Sequence, residues 1–176
     1  MRVVVVGNGK VGHTLTEQLS KEGHDVVVID NDRRALEEST NVLDVMGVSG
    51  NGASYRVQVE AGVNKADLLI AVTNADEINI LCCLVAKKLG VRHTIARVRN
   101  PEYSDQLMFI QDELGLSMSI NPEFAAADEI FRMLRLPGAL KVEVFSRGKV
   151  ELVELKLTAD SLLDGLPLSA LYKKHQ

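Results

Sequence analysis

Two patterns alternate through the first 120 residues. Short runs dominated by Val, Ile and Leu recur between longer stretches whose apolar residues return every three or four positions. The runs show no apolar–polar alternation, which marks strands buried on both faces of a parallel sheet; the stretches between them read as helices. Strands are predicted at 2–6, 26–29, 42–46, 68–72, 94–98 and 116–120. The first helix runs from about Lys10 to Glu22 and stops at Gly23. A second is capped by Asn31 or Asp32, a third follows the loop 50–54 and closes at Gly62, and a fourth runs to Leu89 and Gly90. The fifth opens at Pro101 and ends at Gly115, and a sixth follows Pro122, with Ile130, Phe131 and Leu134 at helical spacing. Glycine just past a helix and proline at its first position are the expected punctuation. Strand–helix alternation of this kind predicts an α/β fold, a doubly wound six-stranded parallel sheet with strand order 3-2-1-4-5-6 and right-handed connections.

The pattern changes at Leu136-Pro137-Gly138. Residues 140–145 and 150–157 alternate apolar with polar positions across Ser146-Arg147-Gly148-Lys149, which predicts an antiparallel hairpin, and 166–174 reads as one more short helix. A hairpin and one helix are too little to fold alone. The expected division is therefore a main domain at 1–136 and a segment at 137–176 that packs on the main domain or on a partner chain, or that belongs to a second domain within which the chain is cut.

Composition adds only bounds. The charged fraction of 25%, the apolar fraction of 46% and a net charge of −4 suit a soluble globular protein and give no basic face for nucleic acid. No apolar run approaches the roughly 18–20 residues that span a bilayer, so a cytoplasmic protein is expected. Cys82 and Cys83 are adjacent, at a spacing that suits neither a metal site nor a disulfide pair, and are expected as buried free thiols. His13, His24, His93 and His175 are scattered and form no triad with a spaced carboxylate and nucleophile.

The first strand runs into Gly7-Asn8-Gly9-Lys10-Val11-Gly12, and the second ends in Asp30 followed by Asn31. A glycine triplet between a strand and a helix lets the backbone turn tightly, approach a pyrophosphate and pack close to the sheet. The helix start offers free N–H groups to phosphate, and the acid accepts hydrogen bonds from ribose hydroxyls. The sheet is thus expected to be of Rossmann type and to bind a nucleotide whose ribose lacks a 2′-phosphate. Ligands on such sheets sit beyond the carboxyl ends of the strands, where strand order reverses. Asn51, Gly52, Ala53 and Ser54 converge there, with Asn51 and Ala53 flanking an adenine edge, and Thr73 and Asn74 offer polar groups to phosphates or a second ribose. Lys10 either reaches a phosphate or stays solvated. Arg97 and Arg99 share a strand face and either clamp phosphates or pair with Asp76, Glu77 or an acid across an interface. Asp76 and Glu77 themselves suit a helix's first turn.

A dinucleotide fold invites an oxidoreductase reading. Yet only a short segment follows the sheet, and Tyr55, Tyr103 and Tyr172 are followed four positions later by Val59, Leu107 and Gln176, never by lysine. No catalytic residue and no metal site is expected; the alternative is an NAD-dependent oxidoreductase or its cofactor-binding fragment. The glycine loop, Asp30, Asn51-Gly52-Ala53-Ser54, the segment from Ala71 to Asn79 and the segment from Ala96 to Tyr103 together resemble the regulator-of-potassium-conductance (RCK, or KTN) family. The likeness extends into Leu136-Pro137-Gly138-Ala139 and the hairpin. It implies a cytoplasmic regulatory subunit that binds NAD(H) and/or ATP/ADP and gates potassium ion transport through rearrangement between subunits. Gly7 to Val11 would hold phosphates and Asp30 the ribose; Thr73, Asn74 and Arg97 would complete the site, and Arg99 would sense terminal phosphates. The implied partners are other copies of the chain, as a dimer or a ring of dimers, and a membrane potassium transporter subunit that holds it at the inner face of the membrane.

Overall fold

The computed structural model describes residues 1–136, 138–145 and 150–157, together with 161, 165 and 167. Its elements in chain order are β1 (Arg2–Val6), α1 (Lys10–Lys21), β2 (Asp25–Asp30), α2 (Arg33–Val42), β3 (Met46–Ser49) and α3 (Tyr55–Glu60). A single 3₁₀ turn (Val63–Lys65) precedes β4 (Leu68–Ala71), α4 (Asp76–Lys88), β5 (His93–Arg97), α5 (Pro101–Leu114), β6 (Met118–Ile120), α6 (Pro122–Arg135), β7 (Ala139–Phe145) and β8 (Val150–Leu155). The chain divides into two compact units, Met1–Phe124 and Ala125–Gln176.

In the first unit six strands pair in the order β3-β2-β1-β4-β5-β6, all parallel, as the alternation predicts. Strand periodicity sends alternate residues to opposite faces. Val3, Val5, Val26 and Val28 pack with Leu36 of α2 and with Val11, Leu15 and Leu19 of α1. Val4, Val6, Val27 and Ile29 pack with Cys82, Cys83 and Ala86 of α4 and Leu107 of α5. The central strands therefore have two cores to satisfy, which is why they are unbroken runs of valine and isoleucine. Burial pushes the Cys82 thiol up to about 12 and raises Cys83 further in the same direction, so both are inert neutral thiols.

One strand lies elsewhere than its pattern predicts. The run 42–46 was the expected third strand, but α2 continues through Val42, which is 80% exposed, and the strand occupies Met46–Ser49. Only Val48 of that strand is buried, and Gly47 supplies no hydrophobic signal. Gly47 nevertheless sets the packing: a Cβ there would lie 3.0 Å from the methyl of Thr40 on α2.

In the second unit β7 and β8 form the expected antiparallel hairpin, with an irregularity between Ala139 and Lys141. Arg135 of α6 pairs with Glu151 of β8. The turn 146–149 and the expected helix 166–174 fall outside the described residues, apart from Pro167.

Candidate functional site

Beyond the carboxyl ends of β1, β2 and β4 lies a crevice of about 490 Å³. Its walls are the loops that leave those strands and β3. Of the predicted positions, Gly7, Asn8, Gly9, Asp30, Asn31, Asn51, Gly52, Thr73 and Asn74 line it, joined by Val6, Ile29, Asp32, Ala35, Gly50, Val72, Ala75 and Ile78. Lys10, Val11, Gly12, Ala53, Ser54, Arg97 and Arg99 are not among the lining residues.

The three loop glycines answer different demands. Gly7 has φ of +98°, and a Cβ there would sit 2.9 Å from the backbone nitrogen of Thr73. At Gly12 a Cβ would fall 1.8 Å from the Gly7 carbonyl oxygen, so only glycine lets α1 start this close to the loop. A Cβ at Gly9 would meet nothing within 4 Å. Gly9 lines the crevice with no protein atom to avoid, so the space its missing side chain leaves is open to a ligand. Gly9 caps α1 without any side-chain hydrogen bond, and no acidic residue occupies the helix's first turn. The N–H groups of that turn thus keep their capacity for an anion.

Across the crevice Asp30 is held by backbone on two sides. Its Oδ2 accepts from the Asn8 N–H at 2.5 Å and its Oδ1 from the Asp32 N–H at 2.8 Å. An ionised carboxylate has about four lone-pair directions, so two remain for hydroxyl donors. The Asn8 side chain points away from the crevice's chemistry. Its amide donates to the Ala35 carbonyl at 2.6 Å and to Ser39 Oγ at 2.8 Å, and Ser39 Oγ also contacts His13 Nδ1 at 2.8 Å. Asn8 therefore serves the site through its backbone, and His13 serves it through Ser39.

The loop 50–54 is fixed twice. Asn51 Oδ1 accepts from the Ala53 N–H at 2.9 Å, which turns Ala53 within the loop. Gln58 of α3, fully buried, donates from Nε2 to the Gly52 carbonyl at 2.8 Å and to the Cys82 carbonyl at 2.9 Å. Gly52 has no room for a side chain, since a Cβ would lie 2.1 Å from Val6 Cγ1.

Both arginines have protein partners. Arg97 donates to Glu123 at 2.5 Å, with only 11% of its side chain exposed. Arg99 Nε lies 3.6 Å from Asp76 Oδ1, and its guanidinium donates to the Asn74 carbonyl at 2.5 Å. Arg99 thus takes Asp76, one of the acids that the sequence offered, whereas Arg97 takes Glu123, which it did not. Asp76 also accepts from the backbone N–H groups of Arg99 and Asn100, both at 2.8 Å, so it organises the loop between β5 and α5. Glu77 accepts from the Tyr103 hydroxyl at 2.8 Å and pushes that phenol's pKa up. Ser39 and Gln58 escaped the sequence reading, and Asn79 entered it only as the last residue of the segment from Ala71, with no role. Each is a polar residue on an otherwise ordinary helix, and only its burial reveals it.

The TrkA-N domain profile matches residues 3–122. The chain belongs to the TrkA-N family. A Trk system potassium uptake protein TrkA homolog of Archaeoglobus fulgidus is 41% identical over 172 residues, which is 98% of this chain and 39% of the relative. This TrkA-N chain thus spans about two fifths of that relative's length. Among solved structures, the TrkA-N domain of the inner membrane protein ybaL from Escherichia coli matches with a TM-score of 0.66 at 24% identity, covering 76% of this chain and 96% of that one. The Shewanella denitrificans Kef CTD in AMP-bound form matches at 0.63 and 20%, covering 78% and 84%. The GsuK channel bound to NAD matches at 0.56 and 19%, covering 68% and 21%. These structural likenesses establish the Rossmann-type fold. Among the described residues no helix of this TrkA-N chain is long and apolar enough to cross a membrane, and no group of His, Cys, Asp and Glu could hold a metal.

Proposed function

We propose that this chain is the nucleotide-sensing part of a potassium-uptake regulator, binding NAD(H) and/or ATP/ADP in the crevice and passing its occupancy to a membrane potassium transporter. The carrying observation is the pairing of two poles across one crevice. The unneutralised start of α1 beside the open Gly9 suits phosphate, and the doubly anchored carboxylate of Asp30 suits ribose hydroxyls. The relative named as a potassium uptake protein, and the fold neighbours bound to AMP and NAD, support the reading.

In this reading Gly7 to Val11 supply backbone to the phosphates. Asp30 and Asn31 hold the adenosine ribose, the loop from Asn51 to Ser54 borders the base, and Thr73 and Asn74 meet the far end of the ligand. Arg97 and Arg99 would engage it only by exchanging their present acidic and carbonyl partners. The protein works in the cytoplasm as a homo-oligomer against its transporter, reads its nucleotide without transforming it, and continues after 136 into a second domain. A nucleotide shifts such a gate only by its difference in affinity between two subunit arrangements.

Calorimetric titration of the chain with NAD, NADH, ADP and ATP tests the core of the proposal. Saturable binding that Asp30→Ala weakens is expected. Failure of all four ligands to bind would refute it, and steady NADH oxidation dependent on a crevice residue would replace the sensor with an oxidoreductase.

A further inference from the structure

Asn79 is fully buried on α4, one turn below the crevice, and its side-chain amide makes four hydrogen bonds. Oδ1 lies 2.8 Å from the Thr73 backbone nitrogen and 2.7 Å from Thr73 Oγ1. Nδ2 lies 3.2 Å from the Thr73 carbonyl oxygen and 2.9 Å from the Arg97 carbonyl oxygen. The two ends of an amide look alike in shape, but here the backbone dictates which is which. A peptide N–H only donates and a peptide carbonyl only accepts, so the oxygen must face the Thr73 nitrogen and the NH₂ must face Arg97.

That orientation fixes the chemistry of Thr73, which lines the crevice. Oδ1 carries no hydrogen, so in the hydroxyl contact at 2.7 Å Thr73 Oγ1–H donates its hydrogen bond to Asn79. The other acceptor within reach of that proton, the Ala75 carbonyl at 3.3 Å, also belongs to the protein. The backbone N–H of Thr73 is committed to Asn79 as well. Both donors of Thr73 are therefore used internally, and its Oγ1, which also accepts from the Ala75 N–H at 3.4 Å, can offer a ligand only its remaining lone pair.

We infer that Asn79 is a positioning residue that makes Thr73 an acceptor, so that the β4 side of the crevice receives a hydroxyl, as on the second ribose of a dinucleotide, in preference to a terminal phosphate. The inference rests on the nucleotide reading above. With Asp30 on the β2 side, the crevice then has an acceptor at each end and helix N–H groups between them. That order matches ribose, pyrophosphate, ribose. A nucleoside triphosphate instead brings acceptor oxygens to the Thr73 lone pair.

Calorimetry with NAD and ATP as probes, on the full chain and three variants, tests this. In the wild type NAD binds more tightly than ATP. Thr73→Val keeps the shape and the backbone N–H but removes Oγ1; it weakens NAD about fivefold to tenfold, the worth of one net hydrogen bond, and changes ATP less than about twofold. Thr73→Ser restores the hydroxyl and the wild-type ratio. Asn79→Ala frees both Thr73 donors and narrows the NAD-to-ATP ratio. Should Asn79→Ala fail to fold, the Thr73 pair gives the answer alone. Proportional losses of NAD and ATP in Thr73→Val, or ATP binding more tightly than NAD in the wild type, overturn the inference and leave the nucleotide site standing. A wild-type protein that binds neither overturns both.

Discussion

Gly9 and Gly12 stand three residues apart in one loop, and replacing each with alanine should have opposite consequences. At Gly12 the added Cβ would lie 1.8 Å from the Gly7 carbonyl oxygen and 2.8 Å from its carbon, both backbone atoms that no rotamer change can move. Reaching an ordinary contact of 3.4 Å asks the loop and the first turn of α1 to part by about 1.6 Å. That separation would lift Val11 and Leu15 from their packing against β1 and β2. Overpacking of this kind costs about 2–3 kcal/mol. For a chain of this size that corresponds to a fall of about 5–10 °C in Tm. At Gly9 the backbone is extended, with φ of −70° and ψ of −171°, a conformation any residue adopts, and the Cβ meets nothing within 4 Å. Gly9→Ala should therefore change stability by less than about 0.5 kcal/mol. Its methyl would still occupy the space where a phosphate approaches the helix start, and nucleotide affinity should fall at least about tenfold, by 1.4 kcal/mol or more. Thermal denaturation and ADP or NAD titration of both variants give the comparison. Equal destabilisation by the two substitutions, or undiminished nucleotide affinity in Gly9→Ala, would refute the division of labour.

Other consequences can be checked separately. Asp30→Ala should weaken every adenosine ligand to a similar degree, because the carboxylate faces the ribose that all of them share; titration of NAD, ADP and ATP in parallel measures it, and selective loss of one would contradict that placement. Arg99→Ala should erode ATP affinity more than ADP affinity if the guanidinium leaves Asn74 for a terminal phosphate, and equal losses in the two titrations would remove it from that role. The Arg97 guanidinium holds the Glu123 carboxyl below its usual range, so the pair stabilises the fold at neutral pH and the gain disappears as pH falls through the carboxyl's titration. The stability difference between wild type and Glu123→Gln, followed by urea denaturation across acidic pH, should shrink toward zero in acid. Cys82 and Cys83, buried with raised pKa values, should label with a thiol reagent at pH 8 only at the rate of unfolding, and rapid labelling of the native protein would contradict their burial.

Much of this architecture is legible in the sequence because the central strands have no polar face. Four consecutive valines after Arg2, and the run from Val26 to Ile29, fit only a position with helices on both sides. The glycines at 23, 90 and 115 adopt positive φ at helix ends, as their spacing suggests. The third strand was harder to read because Val42 and Val45 flank a helix end while the true strand carries Gly47 and a single buried valine. The crevice floor was legible where backbone makes it, at Gly7, Gly9 and Asp30. It was less so where side chains reach across the fold. Arg99 finds Asp76, one of the acids that the sequence offered, but Arg97 finds Glu123 26 positions away, and a two-residue period says nothing about such a partner. Ser39 and Gln58 give no periodic or motif signal, and Asn79, although it ends the segment from Ala71, shows no role there, since a buried amide or hydroxyl is recognised only by what surrounds it.

The double anchoring of Asp30 has a consequence for how the pocket meets its guest. Its carboxylate is already immobilised by peptide groups from two different loops, so no rotameric freedom is surrendered there on association, and that corner is rigid before anything arrives. A glutamate in its place, one methylene longer, would keep the charge but lose both tethers at once, turning a prearranged receptor into one that must be ordered by whatever it captures.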